Sequence, residues 1–126
     1  MPPSSCNRTI VLDPISAALI TKSLDGLALR QQVTATNIAN ANSRAYHPSR
    51  VTFEDSLKAA AAQGLDAIAG VTPKIEAMPA GAFGDEPRTD LELDTAVSTA
   101  GRYSALVDFL TREMDISRTV IRGGSQ

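Results

Sequence analysis

The chain has 126 residues, a net charge of −2 and a pI near 5.3, which fits one domain, and its 12 basic residues form no run, which argues against a nucleic-acid surface built on phosphate contacts. Hydrophobic residues make up 43% of the sequence, yet 19 residues are Ala, none is Trp, and there are only three Phe and two Tyr. A core made of such side chains is thin, so a single copy should be marginal and other chains should supply the missing burial. No stretch approaches the roughly 18 apolar residues of a membrane span, and the N-terminus lacks the charged start and long apolar run of a cleaved secretory signal.

Residues 1–12 read as a flexible arm. Cys6 is alone and has no internal disulfide partner. Asn7-Arg8-Thr9 fits a glycosylation sequon, but three-residue matches arise by chance and carry no weight. Asp13-Pro14 is a helix start, with a side-chain acceptor at the cap and Pro at the first position, where no amide bond is lost. A long helix follows to about Ala41, with Ile20, Leu24, Leu27, Ala28, Ala35, Ile38 and Ala39 on its apolar face, flanked by Leu29 and Val33. Gly26 interrupts it at about 1 kcal/mol relative to Ala.

Asn37, Asn40 and Asn42 punctuate the end of this helix. Asn tolerates the left-handed cap conformation and bonds nearby backbone, so one reading is a plain helix C-terminus. The other is a hydrogen-bonding surface that further subunits recognise. Ser43 to Pro48 reads as a turn, and Thr52 is placed to cap a short third helix from Phe53 to about Gln63. From Gly64 to Arg88 periodicity disappears, and this segment holds four of the eight Gly and three of the seven Pro. That is an unusually long structureless connection, expected to be a linker or a segment ordered by assembly.

Residues 90–122 form the most patterned stretch. Leu93, Ala96, Ala100, Tyr103, Val107, Leu110, Met114, Ser117 and Ile121 alternate in steps of three and four, an a/d heptad seam with one polar member. Thr89 and Glu92 have the spacing of a capping box, and Gly123-Gly124 is the expected stop. Residues 85–94 carry five acidic and one basic side chain, whereas 1–50 carry two acidic and five basic, an asymmetry that suits head-to-tail contacts or a solvated surface equally. The expected fold class is all-α: two long terminal helices packed as an elongated antiparallel coiled-coil-like hairpin, a short third helix and an irregular central segment. In sequence terms the divisions are a 1–12 arm, a 13–63 N-terminal part, an irregular 64–88 and an 89–126 C-terminal helix.

Chemistry-bearing patterns are missing. His47 is the only histidine and sits beside Pro48, with no second His or cysteine cluster to make a metal site. There is no GxSxG, no Gly-rich phosphate loop and no paired CxxC. No cofactor, no metal and no catalytic role are expected.

The run Leu29 to Asn42, with Asn37-Ile38-Ala39-Asn40 at its heart, closely resembles the N-terminal signature of bacterial flagellar rod and hook proteins: Asn-Ile-Ala-Asn, two variable positions, then Thr-Pro-Gly-Tyr. Tyr46 stands at the tyrosine, and Val51 to Leu57 resembles the continuation. Ser43-Arg44-Ala45 replaces Thr-Pro-Gly, removing a pre-set φ and a permissive turn position. Asp90 to Asp94, Arg102 to Val107 and Leu110 to Met114 resemble the small proximal-rod members. The resemblance implies a structural subunit of the flagellar basal body, exported through the flagellar type III apparatus without a cleaved signal. It implies self-assembly through the terminal helices, to transmit torque and line the export channel. Implied partners are other rod proteins, a rod-to-MS-ring adaptor, the MS ring and the export gate, with no nucleic acid and no direct membrane span. Candidate interface residues are Asn37, Ile38, Asn40, Tyr46, Leu93, Tyr103, Val107, Leu110, Met114 and Ile121. A cytoplasmic coiled-coil adaptor or secretion chaperone shares the heptads but does not require the Asn-Ile-Ala-Asn run.

Overall fold

The computed structural model describes residues 13–79 and 88–124, so the expected 1–12 arm and sequon lie outside the described residues. Six elements follow in order: α1 (Pro14–Ala39), β1 (Ser49–Thr52), α2 (Glu54–Ala61), α3 (Leu65–Ala69), β2 (Lys74–Ala77) and α4 (Thr89–Gly124). Helix takes up 72% and strand 8% of the described residues, so the fold is mostly helical with a small sheet rather than all-α.

α1 starts as its sequence dictates. The Asp13 carboxylate accepts from the Ser16 amide at 2.7 Å, with Pro14 at the first helical position. That amide holds the Asp13 carboxyl below the usual carboxylate range, so the cap's contribution is complete above that range and is lost as pH falls through the lowered value. At the other end the Asn40 side-chain amide donates to the Thr36 carbonyl at 2.8 Å and closes the last turn. The turn that follows closes without Pro or Gly: the Tyr46 amide donates to the Ser43 carbonyl at 3.2 Å.

The central segment differs most from expectation. Thr52 lies in β1 instead of capping a helix, α2 begins after Phe53 without a side-chain cap, and the supposedly irregular stretch after Gly64 contains α3 and β2. β1 and β2 pair antiparallel, with Ser49 opposite Ala77 and Val51 opposite Ile75. Composition hid this because the elements are only four and five residues long, below the length at which periodicity is readable. Residues 80–87 lie outside the described residues.

The core sits where this β1-α2-α3-β2 unit docks on α1. Leu27, Val51, Phe53, Leu57, Ala60, Ile68 and Val71 form one cluster, edged by Ala18, Leu19, Leu29, Val33, Ala67 and Leu106. Gly26 is the floor beneath Phe53: a Cβ there would lie 2.5 Å from the ring. The Arg30 guanidinium covers Phe53 at 4.9 Å from the ring centroid, donates to the Val51 carbonyl at 2.9 Å and pairs with Glu54. A glycine expected only to weaken the helix therefore makes room for the largest apolar side chain of the core. Gly64 turns α2 into α3 at φ +106°, a backbone conformation that other residues rarely adopt.

α4 runs antiparallel to α1, since Asn37 near the end of α1 meets Glu92 near the start of α4 while Leu106 reaches the cluster further back along α1. With 36 residues against 26, α4 outruns α1 at the far end by roughly 15 Å at about 1.5 Å per residue. It continues through Gly123 to Gly124 rather than stopping before them.

Replacing Gly26 by Ala should push Phe53 off its seat and lower stability by about 1–3 kcal/mol. Gly101→Ala, at an exposed helical site with nothing within 4 Å of the added carbon, should raise it by about 0.5–1 kcal/mol. Thermal and denaturant melts of both variants read the opposite signs.

Candidate functional site

The elbow between the two long helices is built around the side-chain amide of Asn37. Its oxygen accepts from the Tyr46 hydroxyl at 2.7 Å and from the Ser49 amide at 3.1 Å. Its nitrogen donates to the Ser49 carbonyl at 2.7 Å and to Glu92 Oε2 at 3.2 Å. An Asn side chain has two acceptor sites and two N–H donors, so every one is used. Towards Ser49 the amide behaves as a neighbouring peptide would, pairing with the N–H and C=O at the free edge of β1. Asn37 is 3% exposed, and unpaired polar atoms at that depth would be strongly unfavourable. One residue thus ties α1, the 43–46 turn, β1 and α4 together.

Around this hub the other signature residues have separate roles. Ile38 is half-buried, Asn40 caps α1, and Tyr46 is half-buried with its hydroxyl on Asn37. Glu92 was expected to reach back and cap its own helix; its carboxylate instead accepts from Asn37 across the helix pair. The start of α4 is braced by Arg88, whose guanidinium forks onto Asp90 with two 3.1 Å bonds. Those bonds hold the Asp90 carboxyl below and the Arg88 guanidinium above their ordinary values.

Along α4 the structure selects a different seam from the one apolarity predicts. The side chains turned inward include Glu92, Thr95, Ala96, Thr99, Leu106, Leu110, Glu113 and Ser117, with Tyr103 at the margin. This line shares Ala96, Tyr103, Leu110 and Ser117 with the expected seam. The remaining expected members, Leu93, Val107, Met114 and Ile121, are exposed, Ile121 to 72%; Ala100 is exposed as well. Thr99 and Glu113, at 2% and 5% exposure, take interior places instead. On the opposite flank Leu91, Phe109, Ile116 and Val120 are also open. Of the ten candidate residues, then, the fold joins Asn37 and Tyr46, half-buries Ile38, Asn40 and Leu110, leaves Tyr103 at the margin, and turns Leu93, Val107, Met114 and Ile121 outward.

Sequence reasoning missed the partners. Ser49 contributes only backbone, which leaves no residue-type signal. Glu92, Thr99, Leu106 and Glu113 recur every seven residues, but as mostly polar members of a competing line they lose to the apolar one in any hydrophobic count. Among the described residues no cluster of three or more His, Cys, Asp or Glu is arranged to hold a metal ion, and no helix is long and apolar enough to cross a membrane. Comparison with protein-family models, with curated proteins and with solved structures gives no match.

Asn37→Ala should strand the Ser49 peptide groups, the Tyr46 hydroxyl and Glu92, lowering stability by about 2–3 kcal/mol, against about 1 kcal/mol for Tyr46→Phe. Asn37→Asp, which keeps the shape but sets a carboxylate against Glu92 and the Ser49 carbonyl, should be at least as damaging as Asn37→Ala at neutral pH. Urea titrations of the three variants give that order.

Proposed function

We propose that the chain is a structural subunit of the bacterial flagellar basal-body rod, most like the proximal rod protein FlgB, and that its role is mechanical rather than catalytic. The observation that carries this reading is the open apolar line on α4. Leu93, Val107, Met114 and Ile121 keep heptad spacing over most of a 36-residue helix, yet the chain itself does not cover them. Leaving such a line in water is unfavourable by roughly 25 cal/mol per Å² of apolar surface, so a neighbour that covers it gains that amount.

Two further features support the reading. Two of the residues that carry the resemblance, Asn37 and Tyr46, bond to each other at the elbow, and Asn37 also holds Glu92 at the start of α4. The part of α4 that overhangs α1 presents Ile116, Val120 and Ile121 on more than one side, which suits several neighbours better than a single dimer partner. In this reading the helix pair acts as a coiled-coil-like strut. Copies and other rod proteins add to one another through an open, heterologous contact, since a closed dimer cannot extend into a rod. Assembled beneath the MS ring and the rod-to-ring adaptor, they transmit torque and line the export channel, after export of the chain through the type III gate.

Val107→Asp tests the reading without touching the elbow or the core. The isolated variant should keep the helicity and melting of the parent chain. In a flagellated bacterium whose own copy has been deleted, it should fail to restore rods or swimming where the parent restores both. Swimming cells with normal rods would overturn the assignment.

A further inference from the structure

Every position on the inward line of α4 has an apolar or small neighbour one residue later: Glu92 and Leu93, Thr99 and Ala100, Leu106 and Val107, Glu113 and Met114. The two lines flank the shared line Ala96, Tyr103, Leu110 and Ser117 on either side. In a seven-residue repeat adjacent lines lie about 50° apart around the helix. A turn of α4 about its own axis by that angle therefore exchanges one seam for the other while Ala96 and Leu110 stay against α1.

The present seating is satisfied at one end and not at the other. At the elbow Glu92 is bonded to Asn37, and midway along α4 Leu106 reaches the core cluster. Further along, Glu113 is 5% exposed and its Oε2 has no hydrogen-bond partner among the described residues. A buried carboxylate oxygen without a donor is strongly unfavourable. A neighbour docking on the open line would leave Glu113 where it is; only turning α4 both returns Glu113 to water and buries Val107 and Met114. We infer that α4 has two seatings on α1, the present one latched by Asn37 and Glu92, and a second, turned by about 50°, in which Leu93, Ala100, Val107 and Met114 face α1. This inference concerns the hairpin alone and holds whichever neighbours the chain has.

The test uses two single-cysteine reporters in a Cys6→Ser chain: Thr99→Cys, now inside, and Val107→Cys, now outside. Thiol-labelling rates are compared before and after the seating is biased. The stronger bias is Glu92→Lys with Glu113→Lys, which places unpaired ammonium groups on the inward line. The milder one is Ala100→Leu, which enlarges the second seam at a position now exposed and so does not threaten the fold. Under either bias, with helicity retained, the Thr99→Cys thiol should label faster by at least about tenfold and the Val107→Cys thiol slower by a similar factor. Faster labelling of both would mean local opening rather than a turn, and would overturn the inference. Unchanged rates under Ala100→Leu, where folding is not in question, would overturn it too.

Discussion

The four hydrogen bonds of Asn37 are the constraint on which the rest of the arrangement depends. They fix the end of α1 to the first residues of β1, seat the tyrosine of the intervening turn, and hold the start of α4 by its carboxylate. Because all the bonds converge on one planar amide, the elements can move only together. The Ser43-Arg44-Ala45 turn shows the consequence. It lacks the residues that pre-set a turn, yet it closes, since Tyr46 is held from outside by Asn37 and from within by the Ser43 carbonyl. Tertiary bonding here replaces local propensity.

The same hub explains why α4 buries the less apolar of its two lines. Helix packing is usually decided by which stripe yields the most burial, and by that measure Leu93, Val107 and Met114 should win. Glu92 is one residue away from Leu93, however, and once its carboxylate is bound to Asn37 the rotational phase of the helix is set at its first turn. An α-helix transmits that phase along its length, so Thr99 and Glu113 follow inward at seven-residue intervals. A single polar contact at one end thus determines what faces water over most of α4.

The terminal helices and the Asp13-Pro14 start were legible in the sequence because long periodic segments and caps are local signals, whereas Gly123-Gly124 does not stop α4 and Glu92 does not cap it. The Asn-Ile-Ala-Asn run and Tyr46 were legible as a unit, though not as a bonded one. The sheet was illegible: β1 and β2 are four residues each, and their pairing is a contact between segments more than twenty residues apart. Gly26 was read as a flaw for the same reason, since its role exists only once Phe53 arrives from a distant segment. The phase of α4 was misjudged because a hydrophobic count weighs lines by transfer energy and gives no weight to one directional bond.

Burial is distributed unevenly along the molecule, and this bears on how the helix pair behaves. The cluster around Leu27, Phe53 and Ile68 lies between α1 and the central unit, and α4 contributes only Leu106 to its edge. Towards the far end the named inward residues are Leu110, Glu113 and Ser117, against Ile20 as the one buried apolar residue of that part of α1. Contacts of that kind are weak, and segments with few buried apolar contacts open at lower free energy than the core. Among the described residues the far half of α4 thus has fewer buried apolar partners than the part beside the core cluster. Such a design separates two requirements: the elbow specifies where the helix points, and the exposed apolar side chains beyond it, Val107, Met114 and Ile121 among them, are left for other contacts. A chain rich in Ala and poor in aromatic residues cannot do otherwise, because it lacks the side-chain volume to fix both ends by itself.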